Sequence, residues 1–337
     1  MRALCSLLLA VGVMAGSAAH AEPFGPKSSR EVMPAREIER PLDLPRGWSE
    51  FELSHDVKMA TGAWGSDGSI EPFEDARWTY HTTNVRWTYG VSRRSDMQWD
   101  IPFITGHLRN DKLGTNTTAI ALGDIRFRYR YRLYETEAPL TSVIAEGELK
   151  GPSGRETPGS YQGGPNQIST FVNSTGTWDA YLGIAAKRQV GPLAFTGRLG
   201  YQRRFSGLAG FLVETEQNQF LGRFKPGDRI TAEVDVTGQV GPVALSLRPR
   251  FRNRASTRVG VTADTWYNPG ADLKKVEGSD GNELDLGAQL TVNATRGFDV
   301  HLRGNLPLMG EDLQFFPLED IHPTYGLTLG AAVEVRF

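Results

Sequence analysis

The chain has 337 residues, and its 37 Lys and Arg nearly balance its 39 Asp and Glu, so it lacks the basic excess of a nucleic-acid binder. It contains one cysteine, which excludes a fold built on disulfides. Beyond the N-terminal region no stretch approaches the ~20 consecutive apolar residues of a membrane helix, and the mean hydropathy is −0.36. That average does not reveal membrane strands, in which apolar and polar residues alternate.

The N-terminal region has the pattern of a secretory signal. Arg2, the apolar run from Leu7 to Ala15 and the sequence Ala19-His20-Ala21 correspond to a basic region, a hydrophobic region and a cleavage site. We predict a signal peptide over residues 1–21, which removes Cys5 from the mature protein.

The next segment, residues 22–46, is rich in proline and charged residues and poor in apolar ones. This composition predicts a flexible N-terminal tail in the periplasm. The functional alternative is a plug for the barrel or a docking segment for an energising partner, although the segment is too short for a folded plug domain. Residues 47–337 form the remaining domain.

Residues 47–337 contain about twelve segments of alternating polarity, each near the ~9–11 residues that a tilted membrane strand needs. Short and long connections alternate between them. The short ones fall near residues 92–96, 134–139, 189–192, 238–242 and 295–297, and the long ones near 61–76, 106–117, 151–176, 206–228, 256–282 and 310–323. The pattern predicts an all-β fold, an antiparallel transmembrane β-barrel of the bacterial outer membrane with short periplasmic turns and long extracellular loops.

The last predicted strand ends in an aromatic residue, Phe337, after a run in which every second side chain is apolar or aromatic. This run comprises Tyr325, Leu327, Leu329, Ala331, Val333, Val335 and Phe337. We expect Phe337 to serve as the assembly signal through which the C-terminal strand meets the barrel-assembly machinery of a Gram-negative bacterium. The other expected partners are outer-membrane lipids and a small-molecule solute, with no nucleic acid.

Other strands also have one apolar face that we assign to lipid. In the first strand His55 falls on that face, between Leu53 and Val57. An imidazole does not fit a lipid-facing position, so we expect a bulge there or shielding by the loops.

The opposite strand faces carry rows of charge, which we predict to line the lumen. The fourth strand contributes Arg126, Arg128, Arg130 and Arg132, the fifth Glu146, Glu148 and Lys150, the eighth Glu233 and Asp235, the ninth Arg248, Arg250, Arg252 and Arg254, and the tenth Glu283 and Asp285. With a turn centred near Glu137, Arg128 would lie beside Glu146, Arg126 beside Glu148, and Asp124 beside Lys150. These rows are either a charged constriction that selects permeating anions or a ladder of ion pairs that fills a narrow lumen.

Signatures of an enzyme are weak. His81, His107, His301 and His322 are candidates for a hydrolase at the outer rim, but none has a Ser or Asp at a spacing that predicts a dyad. No cluster has the spacing of metal ligands, and we predict no cofactor. The sequence therefore favours a protein that is not an enzyme.

Three short motifs carry a family resemblance: Leu44-Pro45-Arg46-Gly47, the run from Gly123 to Leu133, and the run from Glu148 to Gly154. Together they resemble the outer-membrane barrel family labelled after the meta-pathway of phenol degradation. The resemblance implies an outer-membrane transporter or channel for small hydrophobic or aromatic compounds. Because the motif charges coincide with the predicted lumen pairs, the motifs can equally mark the architecture of the wall.

Three functions follow from these observations. The leading one is a channel or transporter for small molecules with a charge-lined lumen. The second is a closed barrel with a structural role, or one that binds partners through its long loops. The third, which the sequence favours least, is a hydrolase at the outer rim.

Overall fold

The computed structural model describes most of the chain outside its first 33 residues. The described residues are 34–64, 68–72, 76–110, 115–137, 140–154, 156–158, 170–172, 176–212, 219–260, 272–275, 280–295, 297–310 and 324–337. The predicted signal peptide, residues 22–33 of the predicted tail, and His322 lie outside this part of the chain.

In the described residues twelve long strands form a closed antiparallel barrel, as predicted. They are β1 (Ser49–Trp64), β2 (Ala76–Ser92), β3 (Ser95–Asn110), β4 (Ile125–Glu137), β5 (Leu140–Gly151), β6 (Asp179–Val190), β7 (Leu193–Arg204), β8 (Arg229–Val240), β9 (Val243–Arg254), β10 (Gly281–Thr295), β11 (Phe298–Gly310) and β12 (Thr324–Arg336). Each strand pairs with the next, and β12 pairs with β1, where Phe51 lies opposite Val335. Closure leaves this sheet without a free edge.

The two ends of the barrel differ. At one end, here the turn end, the strands are joined by short turns, and Gly191 and Gly241 adopt φ values of 59° and 58° that suit tight hairpins. At the other, the loop end, the connections are long and in part form strands of their own. The alternation of short and long connections therefore has the predicted order.

Short strands extend the barrel at the loop end. Ile70–Pro72 pairs with β1 and Thr115–Leu122 pairs with β3. Two small sheets form separately: one from Glu156–Pro158 and Thr170–Val172, the other from Gly207–Leu212, Gln219–Lys225, Arg258–Gly260 and Lys274–Lys275. Among the described residues, no helix is long and apolar enough to cross a membrane.

The outer wall exposes a broad apolar surface because outward positions alternate with inward ones along every strand. Its exposed apolar and aromatic side chains include Phe51, Leu53, Trp87, Phe103, Tyr129, Leu182, Ile184, Leu199, Val234, Leu245, Leu302, Leu329 and Val333. The stacked rings of Trp87 and Trp99, with centroids 4.9 Å apart, lie on this face. A belt of this kind is what a barrel presents to lipid.

The expectation for His55 was wrong. The pairing of β1 with both neighbours is continuous through His55, and the irregularity in β1 lies further on, between Ala60 and Gly62. The His55 side chain is exposed on the outer wall, so neither a bulge nor a covering loop removes it from that surface.

The prediction for residues 22–46 was also wrong for the described part of that segment. Residues 34–46 lie inside the barrel at the turn end, and Glu37–Glu39 form a single turn of 3₁₀ helix there. A low apolar content is typical of an unstructured tail, but it equally suits a segment that packs against a charged lumen.

Candidate functional site

The lumen is lined by ion pairs that join neighbouring strands. The described pairs include Arg86 with Glu52 (3.0 Å) and Asp100 (2.6 Å), Arg128 with Glu148 (2.6 Å), Arg130 with Asp96 (2.7 Å), Arg198 with Glu233 (2.9 Å) and Glu146 (3.4 Å), and Arg303 with Asp56 (2.6 Å). Most of the predicted charge rows therefore neutralise one another across the wall, as the ion-pair alternative expected.

The charges of β8 to β10 follow the same rule. Arg250 lies directly opposite Asp285, and Arg252 directly opposite Glu283. Their pairs are 2.9 Å and 2.6 Å long. These are cross-strand pairs of opposite charge, the arrangement that stabilises a sheet. Arg248 bonds Asp235 at 2.9 Å, and Arg254, at the loop end of the same row, is buried.

The predicted pairing of β4 with β5 was wrong by one pair. Arg128 lies opposite Glu148 and Arg130 opposite Glu146, because the turn follows Glu137 instead of being centred on it. The shift places Arg126 opposite Lys150, a cation opposite a cation.

Arg126 is consequently different from the rest of its row. Lys150 forms ion pairs with Asp124 at 3.3 Å and with Asp179 at 2.8 Å, so the predicted contact between Lys150 and Asp124 is present. Asp100, opposite Arg126 on β3, already bonds Arg86 at 2.6 Å. Among the residues that the structure describes, no carboxylate pairs with Arg126, and its side chain is exposed.

The chain enters the lumen beside Gly90 on β2. The Gly47 N–H donates to the Gly90 carbonyl at 2.9 Å, and the Gly90 N–H donates to the Trp48 carbonyl at 2.9 Å. A Cβ on Gly90 would lie 2.0 Å from the Pro45 carbonyl oxygen, so only glycine permits this approach. The preceding residues, 34–46, then cross the lumen; we call them the plug segment.

Two buried ion pairs hold the plug segment to the wall. Arg40 Nη1 lies 2.5 Å from Asp299 Oδ2 on β11, and Arg132 Nε on β4 lies 2.8 Å from Asp43 Oδ1. The Arg40 side chain is 8% exposed, and those of Asp299 and Asp43 are 0% exposed. Pairs this deeply buried cost several kcal/mol to break by removing one partner.

Backbone groups of the plug segment bond side chains from further strands. Lys187 on β6 donates to the carbonyls of Glu37 (2.9 Å) and Arg40 (3.0 Å), and Arg130 on β4 donates to the Leu42 carbonyl (2.9 Å). The wall thus replaces the water that would otherwise satisfy these carbonyls.

Two amide groups are held in the same way. The Leu44 N–H donates to Asp96 Oδ2 at 2.5 Å, and the Ile38 N–H donates to Gln239 Oε1 at 3.2 Å. Ile38 is fully buried and Leu44 nearly so. The plug segment therefore packs across the turn end of the lumen.

Towards the loop end, two cavities can be described from residues of the lumen wall. The larger, about 390 Å³, lies against β1, β2 and β9 to β12, and its lining includes Arg248, Arg250 and the pair Arg303–Asp56. The smaller, about 100 Å³, lies against β4 to β8 and is lined in part by Arg126. We call the latter the loop-end chamber.

A tyrosine ring forms part of the loop-end chamber. Tyr181 lies flat against the wall over Gly183 and Gly200, since a Cβ on either glycine would come within 2.3 Å of Tyr181 atoms. The two glycines therefore leave space for the ring, with Arg128 and Arg229 nearby in the same chamber.

Asp228 ties the loop end of the barrel together. It accepts hydrogen bonds from the Arg204 backbone N–H (3.0 Å) and the Tyr201 hydroxyl (2.9 Å), and it pairs with Arg203 at 2.8 Å. Burial alone would raise the pKa of Asp228, but these hydrogen bonds, together with the charges of Lys225 and Arg203, hold it below its ordinary value.

The resemblance motifs occupy structural positions. Ser153 Oγ accepts a hydrogen bond from the Ile125 N–H (2.7 Å) and donates to the Gly123 carbonyl (3.0 Å), which fastens the start of β4 to the end of β5. The first motif contributes Leu44 to the plug segment. In these contacts the motifs build the wall and its entry point.

The described histidines proposed for a rim enzyme lie on two different faces of the barrel. His301 is buried in the lumen at 3.0 Å from Thr291 Oγ1, while His81 and His107 are on the outer wall. Their described contacts contain no Ser–His–Asp arrangement.

Several important residues escaped the sequence reasoning: Arg40, Asp43, Lys187, Asp299 and Tyr181. Their contacts link positions as far apart as Arg40 and Asp299, and no local pattern marks them. The one available signal was that Lys187 and Asp299 fall on the strand faces assigned to the lumen, where the sequence showed no partner for their charges.

Comparisons with known proteins support the fold. No protein family and no curated protein matches the chain. An outer membrane channel from Pseudomonas putida F1 is similar in structure, with a TM-score of 0.63, 12% identity, and coverage of 87% of this chain and 97% of that one. The translocator domain of the autotransporter NalP from Neisseria meningitidis (TM-score 0.46, 9% identity, 86% and 88% covered) and the KdgM porin (0.40, 7%, 86% and 99%) also match.

An identity this low establishes the barrel fold alone. The resemblance to the phenol meta-pathway family, read from the three motifs, stays a prediction.

Proposed function

We propose that this protein is a channel of the bacterial outer membrane for small molecules, and that the plug segment closes its turn end. The observation that carries the proposal is a closed barrel with an apolar outer belt of the kind that faces lipid. The plug segment blocks its lumen at the turn end and is held there through side-chain contacts. A barrel that served only as a solid structural element would not need cavities in its lumen. Here two cavities lie beyond the plug segment.

The plug contacts suit reversible closure. Apart from the buried side chains of Ile38 and Leu44, they consist of ion pairs and hydrogen bonds from polar side chains, among them Arg40 with Asp299 and Lys187 with the Glu37 carbonyl. When the segment leaves, water can replace it at every one of these groups. The lumen would then remain polar and braced by its own ion pairs, so that the wall survives the opening.

The loop-end chamber indicates the substrate class. Arg126 offers a guanidinium without a described carboxylate partner, and Tyr181 offers an aromatic ring that lies flat against the wall. A guanidinium binds a carboxylate through two parallel hydrogen bonds, and a ring stacks on another ring. We therefore propose small aromatic molecules that carry an anionic group as the permeating class.

The test is conductance in planar lipid bilayers. The full mature protein is compared with a variant that lacks residues 22–46, at matched protein amounts and after heat-modified gel migration has verified that both are folded. We expect low or intermittent conductance for the full chain and stable conductance for the variant. A folded variant with no conductance would overturn the proposal.

The second function, a closed barrel that binds partners through its loops, has its own observation. Strands from two long loops form a four-stranded sheet at the loop end, in which Phe224 lies opposite Val259. Deletion of residues 207–225 separates the two functions. If the deletion abolishes partner binding and leaves the conductance unchanged, loop binding is favoured. If it changes the conductance and leaves partner binding intact, the channel is favoured.

A further inference from the structure

Three histidines lie on the outer wall of three neighbouring strands, His55 on β1, His81 on β2 and His107 on β3. In the strand register His81 is opposite Val57 and His107 is opposite Thr79. Each histidine is therefore the diagonal neighbour of the next, at a spacing that long side chains can bridge. We call this set the histidine row.

The first two imidazoles already face each other. His55 Nε2 lies 3.4 Å from His81 Nδ1, and the ring centroids are 5.5 Å apart. A well-formed hydrogen bond to nitrogen or oxygen spans ~2.7–3.2 Å, which is shorter. Two nitrogens that are each ~2.05 Å from a tetrahedral zinc ion are about 3.3 Å apart. The observed separation thus matches two ligands of one ion.

Thr83 sets the orientation of the His55 ring. Its Oγ1 lies 2.9 Å from His55 Nδ1. When Nδ1 carries the proton and donates it to this hydroxyl, Nε2 is left with a lone pair directed towards His81. Histidines that bind metals usually engage their second ring nitrogen in this way.

His107 extends the row towards the loop end. It repeats the diagonal step that brings His55 to His81, because His107 lies opposite Thr79 in the pairing of β2 with β3. It lies three residues before Asn110, where β3 ends. An ion could therefore enter from the loop side without crossing the belt.

The surroundings decide the class of ion. Imidazoles on a wall that faces lipid gain from a bound ion, because it offsets part of the cost of leaving water. Among the described outward side chains of β1 to β3 there is no carboxylate and no thiolate, which leaves an all-nitrogen donor set. Such donors suit Zn²⁺, Cu²⁺ and Ni²⁺, whereas Mg²⁺ and Ca²⁺ need oxygen ligands. We propose that the histidine row is a binding site for a divalent transition metal, with Zn²⁺ as the ion that fits best.

A second cluster of potential ligands lies in the lumen and provides the control. Asp299, His301 and Glu334 bring their ligand atoms within 4.8 Å of one another. Arg40 and Arg336 already neutralise the Asp299 carboxylate, at 2.5 Å and 2.6 Å. An ion would have to displace two guanidinium groups, so we expect no binding there.

The experiment is titration of Zn²⁺ into the full mature protein, refolded in detergent without a histidine tag and followed by calorimetry. We expect one ion per chain, and X-ray absorption should place imidazole nitrogens at ~2.0–2.1 Å from zinc. His81→Ala should abolish the site and His301→Ala should leave it unchanged. Thr83→Val, which keeps every ligand, should weaken binding about ten-fold or more.

Folding of each variant is verified by heat-modified gel migration, so that a lost site is not confused with a lost barrel. Absence of zinc binding in the wild-type protein, binding that persists in His81→Ala, or binding that disappears in His301→Ala would each overturn the proposal. A different result would also overturn it. In that case the wild-type protein binds no zinc and prefers vesicles with lipid A to vesicles with dephosphorylated lipid A, and the His81→Ala variant shows no such preference. The row would then be a site for lipid phosphate.

Discussion

Replacing Arg40 by Gln should release the plug segment without harming the barrel. Arg40 makes the buried ion pair to Asp299 and donates to the carbonyls of Pro34 (3.1 Å) and Ala35 (2.9 Å). Removing one partner of a buried pair costs about 3–5 kcal/mol. Asp299 keeps Arg336 at 2.6 Å, so the lower end of that range applies.

A loss of about 3 kcal/mol changes the ratio of docked to released segment roughly 100-fold, since 1.4 kcal/mol corresponds to a factor of ten. The measurement is the fraction of time that single channels of the full mature protein spend open in a planar bilayer. We expect that fraction to rise steeply in Arg40→Gln, while the open-state conductance stays that of the variant without residues 22–46.

The chain offers a matched control in the same segment. Arg36 pairs only with Glu39 among the described residues, at 3.0 Å, and their side chains are 42% and 37% exposed, far more than those of Arg40 and Asp299. Such a pair contributes about 0–1 kcal/mol, so Arg36→Gln should change the open fraction less than about five-fold. Equal open fractions in folded Arg40→Gln and wild-type protein would refute the view that this ion pair holds the channel closed.

Three further outcomes are expected. Gly200→Val should lift the Tyr181 ring from the wall, because the Cβ would lie 2.1 Å from a ring atom, and single-channel recordings of the variant without residues 22–46 should show reduced conductance. In that same background Arg126→Gln should shift the reversal potential in a KCl gradient towards cation selectivity, with little change in stability. Arg128→Gln should instead destabilise the barrel by about 1–3 kcal/mol in urea titrations, because it leaves a carboxylate unpaired. The pKa of Asp228 is lowered in the folded protein. Its contribution to loop anchoring should therefore be complete above the ordinary carboxyl pKa of about 4 and should be lost as the pH falls through the lower pKa of the folded state. Loop proteolysis that already accelerates between pH 7 and 5 would contradict this.

The wall of the barrel was predictable because it depends on local parity. A strand between lipid and a polar lumen must alternate, so residues such as Leu53 and Glu52 reveal their faces in the sequence. The alternation of short and long connections then orders the strands. Register is harder, because a turn displaced by one residue moves every pair by two. The position of the turn after Glu137 decided whether Arg126 or Arg128 met Glu148.

The plug segment was not predictable for a different reason. Its partners are Asp96, Arg130, Lys187, Gln239 and Asp299, which lie on five different strands. A charged, proline-rich sequence reads the same whether water or a polar lumen solvates it. Only the closed barrel brings the partners to one place.

The histidine row illustrates a third case. Parity correctly placed His55 on the outer wall, but His81 is 26 residues away in the sequence, on the next long strand. The diagonal relation between these residues follows from the pairing of β1 with β2. Once the register is known, the residue that did not fit becomes one member of a set.

The spread of the plug contacts over strands from β3 to β11 has a consequence for biogenesis. A barrel that is missing a hairpin, or whose β1 and β12 have not yet joined, lacks part of the surface that the segment recognises. We therefore expect the segment to dock late in barrel assembly. Until then, the lumen of an incomplete barrel would stay open. Occupancy of the lumen by residues 34–46 thus requires that contact strands from β3 to β11 are in place together.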